Sequence, residues 1–145
     1  MAIDSRLAPY GALTLRVALG VMYLAHGVVL KLMTFGLPGT AAFFAKVGLP
    51  WWLAYVTFAA EAAGGALLIL GIWTRWVAIA LVLPLLGAII WVHGMNGWVF
   101  TAPGGGWEYP AFLIVASAAL ALLESGEANH QGRTIDTAVM LERQL

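Results

Sequence analysis

Residues 51–73 have the sequence WWLAYVTFAAEAAGGALLILGIW, a long apolar stretch that carries a single charged side chain. A helix needs roughly 20 mostly apolar residues to cross about 30 Å of hydrocarbon. The stretch meets that length and places Glu61 near its middle. The sequence therefore predicts a membrane-spanning helix with an ionisable group near mid-bilayer depth.

Three further segments have the composition of a spanning helix. Together with residues 51–73 they give four predicted spans, which are residues 10–33, 51–73, 76–93 and 108–123. Clusters of glycine and proline mark loops between the spans. The clusters are Gly36-Leu37-Pro38-Gly39, Gly48-Leu49-Pro50 and Pro103-Gly104-Gly105-Gly106. Residues 41–47 are predicted to form a short interfacial helix, and Pro84 is predicted to kink the third span. The predicted fold is an all-α, integral membrane four-helix bundle in one domain, residues 1–145, with a polar cytoplasmic tail at 124–145.

The composition of the whole chain supports the lipid bilayer as its surroundings. Of its 145 residues, 62% are hydrophobic and 10% are charged, and the mean hydropathy is +0.90. Soluble domains are about 45–50% apolar and about 25% charged. The net charge is zero, which argues against a nucleic-acid partner because such proteins carry basic patches. The chain has no Cys, which excludes disulfides, thiolate metal ligands and cysteine nucleophiles.

Basic residues predict the orientation of the bundle in its membrane. Four spans place both termini on one side, and the side richer in Lys and Arg faces the cytoplasm. One side carries only Lys31 and Lys46. The other carries Arg6, Arg16, Arg75, Arg133 and Arg143. We therefore expect both termini to be cytoplasmic, and we expect the first helix, with no cleaved signal peptide before it, to act as the insertion signal.

Tryptophan lies near the ends of the predicted spans, where its apolar ring and its N–H both find suitable partners. The seven are Trp51, Trp52, Trp73, Trp76, Trp91, Trp98 and Trp107. An aromatic belt at the membrane interface is the expected role of this set. In the tail, Ile135, Val139 and Met140 are predicted to lie along the membrane surface.

Glu61 is the first candidate for a functional residue. A charged side chain near mid-bilayer costs about 2.5–3.5 kcal/mol on insertion scales, so such a residue faces the bundle interior and has a partner. Gly64 and Gly65 share its helical face and would let another helix approach closely. Glu61 either ties helices together, as a protonated or ion-paired carboxyl group, or it carries protons or binds a ligand.

Arg16 is the second candidate, and it shares a stripe of the first helix with Gly20, Gly27 and Lys31, following the 3.6-residue period. Two roles are open for its side chain. It either reaches the cytoplasmic headgroups or turns inward to an ion pair, for which Glu61 is the leading partner.

Two histidines lie in the outer half of the predicted bundle, the half expected to face away from the cytoplasm. His26 lies in the first span, and His93 lies at the outer end of the third. With Glu61 and Glu108 they are expected to form one cluster. Histidine can relay protons, bind a quinone carbonyl or ligate a metal, and in a membrane it also serves as a helix–helix hydrogen bond. No spacing typical of a dedicated metal site is present, so no metal is predicted.

Five short motifs follow one another along the chain, each occurring once. They are Arg16-x-x-x-Gly20, His26-Gly27-x-x-x-Lys31, Glu61-x-x-Gly64-Gly65-x-x-Leu68-x-x-Gly71-x-x-Thr74-Arg75, Gly105-Gly106-Trp107-Glu108-Tyr109 and Gly132-Arg133-x-x-Asp136. Their order and spacing resemble the DoxX family of small bacterial four-helix membrane proteins. The resemblance extends from Leu15 to Asp136, which is most of the chain.

The family takes its name from subunits of a thiosulfate:quinone oxidoreductase. Other members are placed in membrane oxidoreductase complexes that act on thiols and oxidative stress. The resemblance implies a quinone-linked subunit of such a complex, and it transfers no catalytic assignment. The residues at family motif positions are Arg16, His26, Lys31, Glu61, Arg75 and Glu108. The absence of Cys favours a quinone-facing or scaffold role over direct thiol exchange.

Three functions are open at this point, and whether the chain is itself catalytic is open with them. In the first, a quinone lies among His26, Tyr23, Glu61 and nearby tryptophans, His26 or Glu61 exchanges protons, and a partner redox protein supplies electrons. In the second, the same cavity serves a non-enzymatic binding protein or carrier for a small apolar molecule. In the third, the chain is a structural or assembly subunit.

The candidate ligand or proton-relay residues are Glu61, His26, Arg16, Tyr23, His93, Glu108 and Lys31. Four short helices enclose little interior, so a homodimer is one expected arrangement.

Overall fold

Helices make up the regular structure of residues 6–124, the part of the chain that the computed structural model describes. In this part the chain forms five helices. They are α1, Ala8–Thr34; α2, Leu37–Lys46; α3, Leu53–Leu70; α4, Thr74–Asn96; and α5, residues 108–124. The all-α fold class is confirmed. The tail motif Gly132-Arg133-x-x-Asp136, the surface-lying residues predicted beside it and Arg143 lie outside the described residues.

Helix α2 begins earlier than the predicted range of 41–47. Gly36 adopts a left-handed φ of 70°, and Pro38 lies in the first turn of α2, where the missing N–H of proline removes no helical hydrogen bond. The Gly-Leu-Pro-Gly cluster therefore starts α2 as well as ending α1. Helix α3 ends three residues before its predicted limit because Gly71 takes the left-handed conformation, with φ of 75°.

Helices α1 and α3 pack antiparallel with their backbones in contact. Gly20 faces Gly65, and a Cβ atom added to either glycine would lie 2.8 Å from the carbonyl oxygen of the other. Gly27 faces Glu61 in the same way, since an added Cβ would lie 3.1 Å from the Cβ of Glu61. Small residues permit such close approach between membrane helices. These contacts fix the register of α1 against α3.

One apolar core joins α1, α3, α4 and α5. Its buried members are Leu19, Tyr23, Leu68, Ala78, Leu81, Leu113, Ala116, Leu120 and Ala121. Because each of the four helices contributes to this core, α5 packs as an integral part of the described structure.

The C-terminal part of α1 has a different helical geometry from the N-terminal part. The helix is α-helical over Ala8–Leu24 and π-helical over Ala25–Thr34. At its end the N–H of Phe35 donates to the carbonyl of Leu30, five residues back, at 2.9 Å. Wide turns of this kind are rare and frequently occur at functional sites. His26 and Lys31 both lie on the wide segment.

Helix α4 is interrupted at Leu81, three residues before Pro84. Proline has no N–H for the carbonyl of Ala80, four residues earlier, and its ring crowds that carbonyl. The predicted distortion of this span therefore appears as a break between Thr74–Ala80 and Val82–Gly87.

Three of the helices are long and apolar enough to cross a membrane. They are α1, α3 and α4, with mean hydropathies of 1.7, 1.7 and 2.2. Their outer surfaces carry large apolar side chains, such as Leu83 at 71% exposure, and such surfaces suit lipid. Helix α5 has 17 described residues, and its role as a fourth span stays a prediction.

The glycine contact between α1 and α3 gives a direct test. Gly20→Ala would place a Cβ 2.8 Å from the Gly65 carbonyl oxygen and 2.6 Å from Ile69 Cγ1, so the two helices must move apart. We expect a loss of about 1–3 kcal/mol in the free energy of unfolding, measured by denaturing-detergent titration in mixed micelles. Gly11→Ala is the matched control on the same helix, because an added Cβ there meets nothing within 4 Å. Equal stability of the two variants would contradict the packing described.

Candidate functional site

A buried ion pair joins α1 to α3. The Nζ atom of Lys31 donates a hydrogen bond to Oε2 of Glu61 at 2.6 Å, and the two side chains are 16% and 9% exposed. Hydrogen bonds between ionised groups are short and strong. Each charge compensates the other in surroundings where either alone would be costly. The mid-helix carboxylate therefore has its partner within the bundle, and that partner is Lys31.

Arg16 does not pair with Glu61, so the inward ion pair, one of the two roles left open for its side chain, is not formed with that residue. The Nη1 atom of Arg16 lies 3.9 Å from Oε1 of Glu124, and the guanidinium packs against Gly71, where an added Cβ would lie 2.5 Å from Nη1. Ten residues of α3, about 15 Å at 1.5 Å per residue, separate Glu61 from Gly71. Arg16 therefore interacts at the opposite end of the bundle from the buried ion pair.

Helix α2 packs at the end of α1 that carries Lys31. The Thr40 hydroxyl is close to two carbonyl oxygens, that of Lys31 at 3.3 Å and that of Gly36 at 3.0 Å. Thr40 is buried, so this contact lies inside the fold. The predicted interfacial helix thus has a structural role beside the ion pair.

A separate open groove of about 940 Å³ lies between α1, α5 and the loop that precedes α5. Its lining consists of His26, Trp98, Phe100, Glu108, Tyr109, Ala111, Phe112 and Val115. Most of these side chains are aromatic or apolar, and three can titrate, namely His26, Glu108 and Tyr109. Phe112 and Val115 are 67% and 66% exposed, so the groove opens on the outer surface of the bundle. Neither Lys31 nor Glu61 lines it.

His26 is the basic group of the groove. Its Nδ1 donates to the carbonyl oxygen of Met22 at 2.9 Å, because a carbonyl can only accept. A neutral ring with its proton on Nδ1 presents Nε2 as an acceptor. The ring stacks against Tyr109, with centroids 6.0 Å apart and an interplanar angle of 25°. His26 is thus held in orientation by its own helix on one side and by α5 on another.

Glu108 orders the loop that completes the groove. Its Oε1 accepts the backbone N–H of Phe100 at 2.7 Å, which holds a loop residue whose ring lines the groove. Glu108 lies at the start of α5, where the helix dipole favours a carboxylate. Trp98 and Trp107 pack edge to face with centroids 4.5 Å apart. The loop is therefore fixed by both polar and aromatic contacts.

His93 lies outside the groove and supports the same loop from beneath. Its Nδ1 donates to the carbonyl oxygen of Gly105 at 2.9 Å. Asn96 Nδ2 donates to the carbonyls of Val92, Gly104 and Gly105 at 3.0–3.1 Å. These bonds hold a loop in which Gly104 and Gly105 adopt positive φ angles.

The four residues expected to form one cluster are divided by the structure. His26 and Glu108 share the groove, Glu61 pairs with Lys31, and His93 holds the loop. Within residues 6–124, no group of three or more His, Asp or Glu side chains could hold a metal ion.

Tyr23 belongs to the core and not to the groove. It is 3% exposed, and its hydroxyl lies 3.2 Å from Ser117 Oγ and 3.3 Å from the carbonyl oxygen of Leu81. The second contact meets α4 at its break. Tyr23 therefore joins α1 to α4 and α5, and it does not approach a ligand in the groove.

Sequence reasoning missed Ser117, Asn96, Phe100 and Phe112. Ser117 is a fully buried polar side chain within the apolar run of α5. A polar residue inside an apolar helix is the sequence signal by which it could have been found. Asn96 is a polar residue at a helix end beside a glycine loop, which is a weaker signal. Phe100 and Phe112 gave none, because exposed phenylalanine is ordinary on a membrane-facing surface.

The similarity of this chain to known proteins includes residues of the site described above. A family model described as DoxX matches residues 11–94, which include the ion pair, His26 and His93. This chain belongs to the DoxX family. The Bacillus subtilis (strain 168) protein named "Putative oxidoreductase CatD" is 40% identical over 116 residues, which cover 79% of this chain and 80% of that protein. No solved structure matches the chain.

The DoxX resemblance inferred from the motifs is thus confirmed, and the three apolar helices together with the family make this a membrane protein. In this DoxX protein, five of the six residues at motif positions fall into three places. Lys31 and Glu61 form the buried pair, Arg16 packs against the far end of α3, and His26 and Glu108 line the groove.

Removal of Lys31 tests the buried ion pair. Lys31→Met leaves the Glu61 carboxylate buried and uncompensated, so we expect a loss of about 3–5 kcal/mol in the free energy of unfolding in mixed micelles. The double variant Lys31→Met, Glu61→Leu should lose less, because no unpaired charge remains. Lys46→Met, on the exposed face of α2, is the control and should change stability by about 0.5 kcal/mol or less. A double variant as unstable as the sum of the two single variants would refute the pairing.

Proposed function

We propose that this DoxX protein binds the headgroup of a membrane quinone in the groove and serves as a quinone-linked subunit of a membrane oxidoreductase complex. The observation that carries the proposal is the placement of His26 in an aromatic groove that opens on the outer surface of the bundle. Support also comes from the family and from a relative that is named an oxidoreductase.

The groove suits a flat ring with polar oxygens. Trp98, Phe100 and Phe112 offer apolar surface to the ring and its tail, as small-molecule sites do when a few polar groups orient an apolar ligand. His26 supplies the group that exchanges protons. Glu61 does not line the groove, so the proton-exchange role considered for it passes to His26.

The reaction needs a second protein. Reduction of a quinone to a quinol takes two electrons and two protons, and it converts both carbonyl groups to hydroxyl groups. The chain has no Cys, and its own side chains supply no electron carrier, so the electrons come from a partner protein that holds a redox cofactor. In this division, the DoxX subunit binds and orients the quinone and moves protons.

The arrangement in the membrane is part of the same proposal. Helix α5 would form a fourth span, since it packs in the common core and its sequence is apolar. The excess of arginine at the α1 start and the α3–α4 turn supports cytoplasmic termini in a bacterial inner membrane. The groove then lies in the half of the membrane that is farther from the cytoplasm. A homodimer is compatible with the small interior of one bundle.

Occupancy of the groove tests the proposed function. Ala111 lines the groove, so Ala111→Trp should fill it and lower the quinone retained by the protein. The protein is extracted with its native lipids in polymer nanodiscs, and quinone per chain is measured by chromatography after solvent extraction. Ala119→Trp is the matched control, because Ala119 is exposed on the same helix and does not line the groove. We expect about a tenfold lower quinone content for Ala111→Trp, equal to about 1.4 kcal/mol of binding free energy.

Three other outcomes of that experiment have distinct meanings. A different apolar molecule found in place of quinone would replace the proposal with the carrier function. Equal quinone content in both variants would place any quinone outside the groove. No bound molecule in either protein, with an intact complex, would favour the structural subunit.

Topology can be tested by labelling, because the chain has no native Cys. Leu7 and Met95 are exposed, at 65% and 97%, near opposite ends of the described bundle. Met95→Cys should react with a membrane-impermeant maleimide in intact spheroplasts, and Leu7→Cys should react only after the membrane is opened. The reverse pattern would overturn the orientation, and reaction of both in intact spheroplasts would overturn the placement of the two ends on opposite sides.

A further inference from the structure

The hydrogen-bond donors of the groove are largely in use within the protein. The Nδ1–H of His26 donates to the carbonyl of Met22, and the hydroxyl of Tyr109 donates to the sulfur of Met22 at 3.5 Å. Among the lining side chains, this leaves the indole N–H of Trp98 as the remaining donor. The other polar side-chain atoms of the lining, Nε2 of a neutral His26 ring and the carboxylate oxygens of Glu108, are acceptors.

The acceptors are well defined. Within residues 6–124, the His26 ring makes no hydrogen bond other than that of Nδ1, so in the neutral ring Nε2 offers its lone pair to a ligand. Glu108 receives the Phe100 N–H on Oε1, and its carboxylate has further acceptor capacity, because an ionised carboxylate offers about four lone-pair sites. A ligand that enters the groove therefore meets two acceptor side chains on the faces of α1 and α5.

We infer that the groove selects the reduced form of its ligand, a dihydroxyarene, over the oxidised quinone. This inference rests on the proposed function and names the redox state that the same site prefers. A quinone oxygen can only accept a hydrogen bond, so it would oppose its own lone pairs to Nε2 of His26 and to Glu108. A quinol hydroxyl donates to either group, and its oxygen still accepts from the Trp98 indole.

The preference has a consequence for the redox couple. If the quinol binds about tenfold tighter than the quinone, the midpoint potential of the bound two-electron couple rises by about 30 mV. The bound quinone is then a stronger oxidant than the same quinone in free lipid. The groove would thereby favour the flow of electrons from a partner protein into the quinone.

Binding of three related probes tests the inference. The protein in lipid nanodiscs is titrated calorimetrically, without oxygen, with decylubiquinol, decylubiquinone and the O,O-dimethyl ether of decylubiquinol. We expect the quinol to bind about tenfold tighter than the quinone, the ratio that one additional hydrogen bond supplies. The dimethyl ether, which has no hydroxyl donor, should bind as weakly as the quinone.

Two variants connect the preference to named atoms. His26→Phe keeps an aromatic ring against Tyr109 but removes Nε2, and it should bring the two affinities close together. Glu108→Gln keeps an oxygen to accept the Phe100 N–H and adds an amide donor, so it should strengthen quinone binding relative to quinol. Glu124→Gln, at the other end of α5, is the matched control and should leave the ratio unchanged.

The outcomes separate this inference from the proposed function. Equal or tighter binding of the quinone overturns the inference and leaves the quinone site standing. Tight binding of the dimethyl ether also overturns it, because hydroxyl donation would then play no part. Failure of all three probes to bind overturns the inference and the proposed function together.

Discussion

The carboxylate of Glu61 lies within an apolar helix, and the fold depends on giving it a counter-charge from inside the protein. Lys31 provides that charge only if α1 and α3 run antiparallel and nearly touch. Gly20 and Gly65 permit that approach because neither has a side chain. The glycine contact and the ion pair are therefore two parts of one requirement. Once α1 is fixed on α3, Tyr23 joins these two helices to α4 and α5 through the core.

The same segment of α1 contributes to stability and to the candidate chemistry. Gly27 and His26 are neighbours in sequence, yet Gly27 faces Glu61 on α3 and His26 stacks on Tyr109 of α5. The buried charges hold the helix, and the imidazole of His26 is left for the groove. This division explains why Glu61, the most conspicuous ionisable residue of the sequence, does not line the groove.

The sequence predicted the helices well, because length and hydropathy determine them locally. It also predicted that Glu61 has a buried partner and that His26 belongs to the candidate site. It named Arg16 as the leading partner of Glu61 and did not propose Lys31, which pairs with it. Both basic residues lie on one stripe of α1, and periodicity gives no register between helices. The register follows from Gly20 and Gly27 against α3, which is a tertiary contact. The loop that brings Phe100 to the groove depends on a hydrogen bond that Glu108 accepts and on hydrogen bonds that Asn96 donates, and no periodic pattern encodes these.

The exposed edge of the groove at Phe112 and Val115 has a consequence for how any occupant arrives. In the proposed membrane arrangement such an edge faces hydrocarbon, so an occupant of the groove would enter by lateral diffusion within the leaflet, without crossing water. Its relevant concentration is its mole fraction among the lipids, and acyl chains are the species that it displaces. A modest intrinsic affinity then suffices for high occupancy, and a change in the lipid composition of the membrane alters occupancy without any change in the protein.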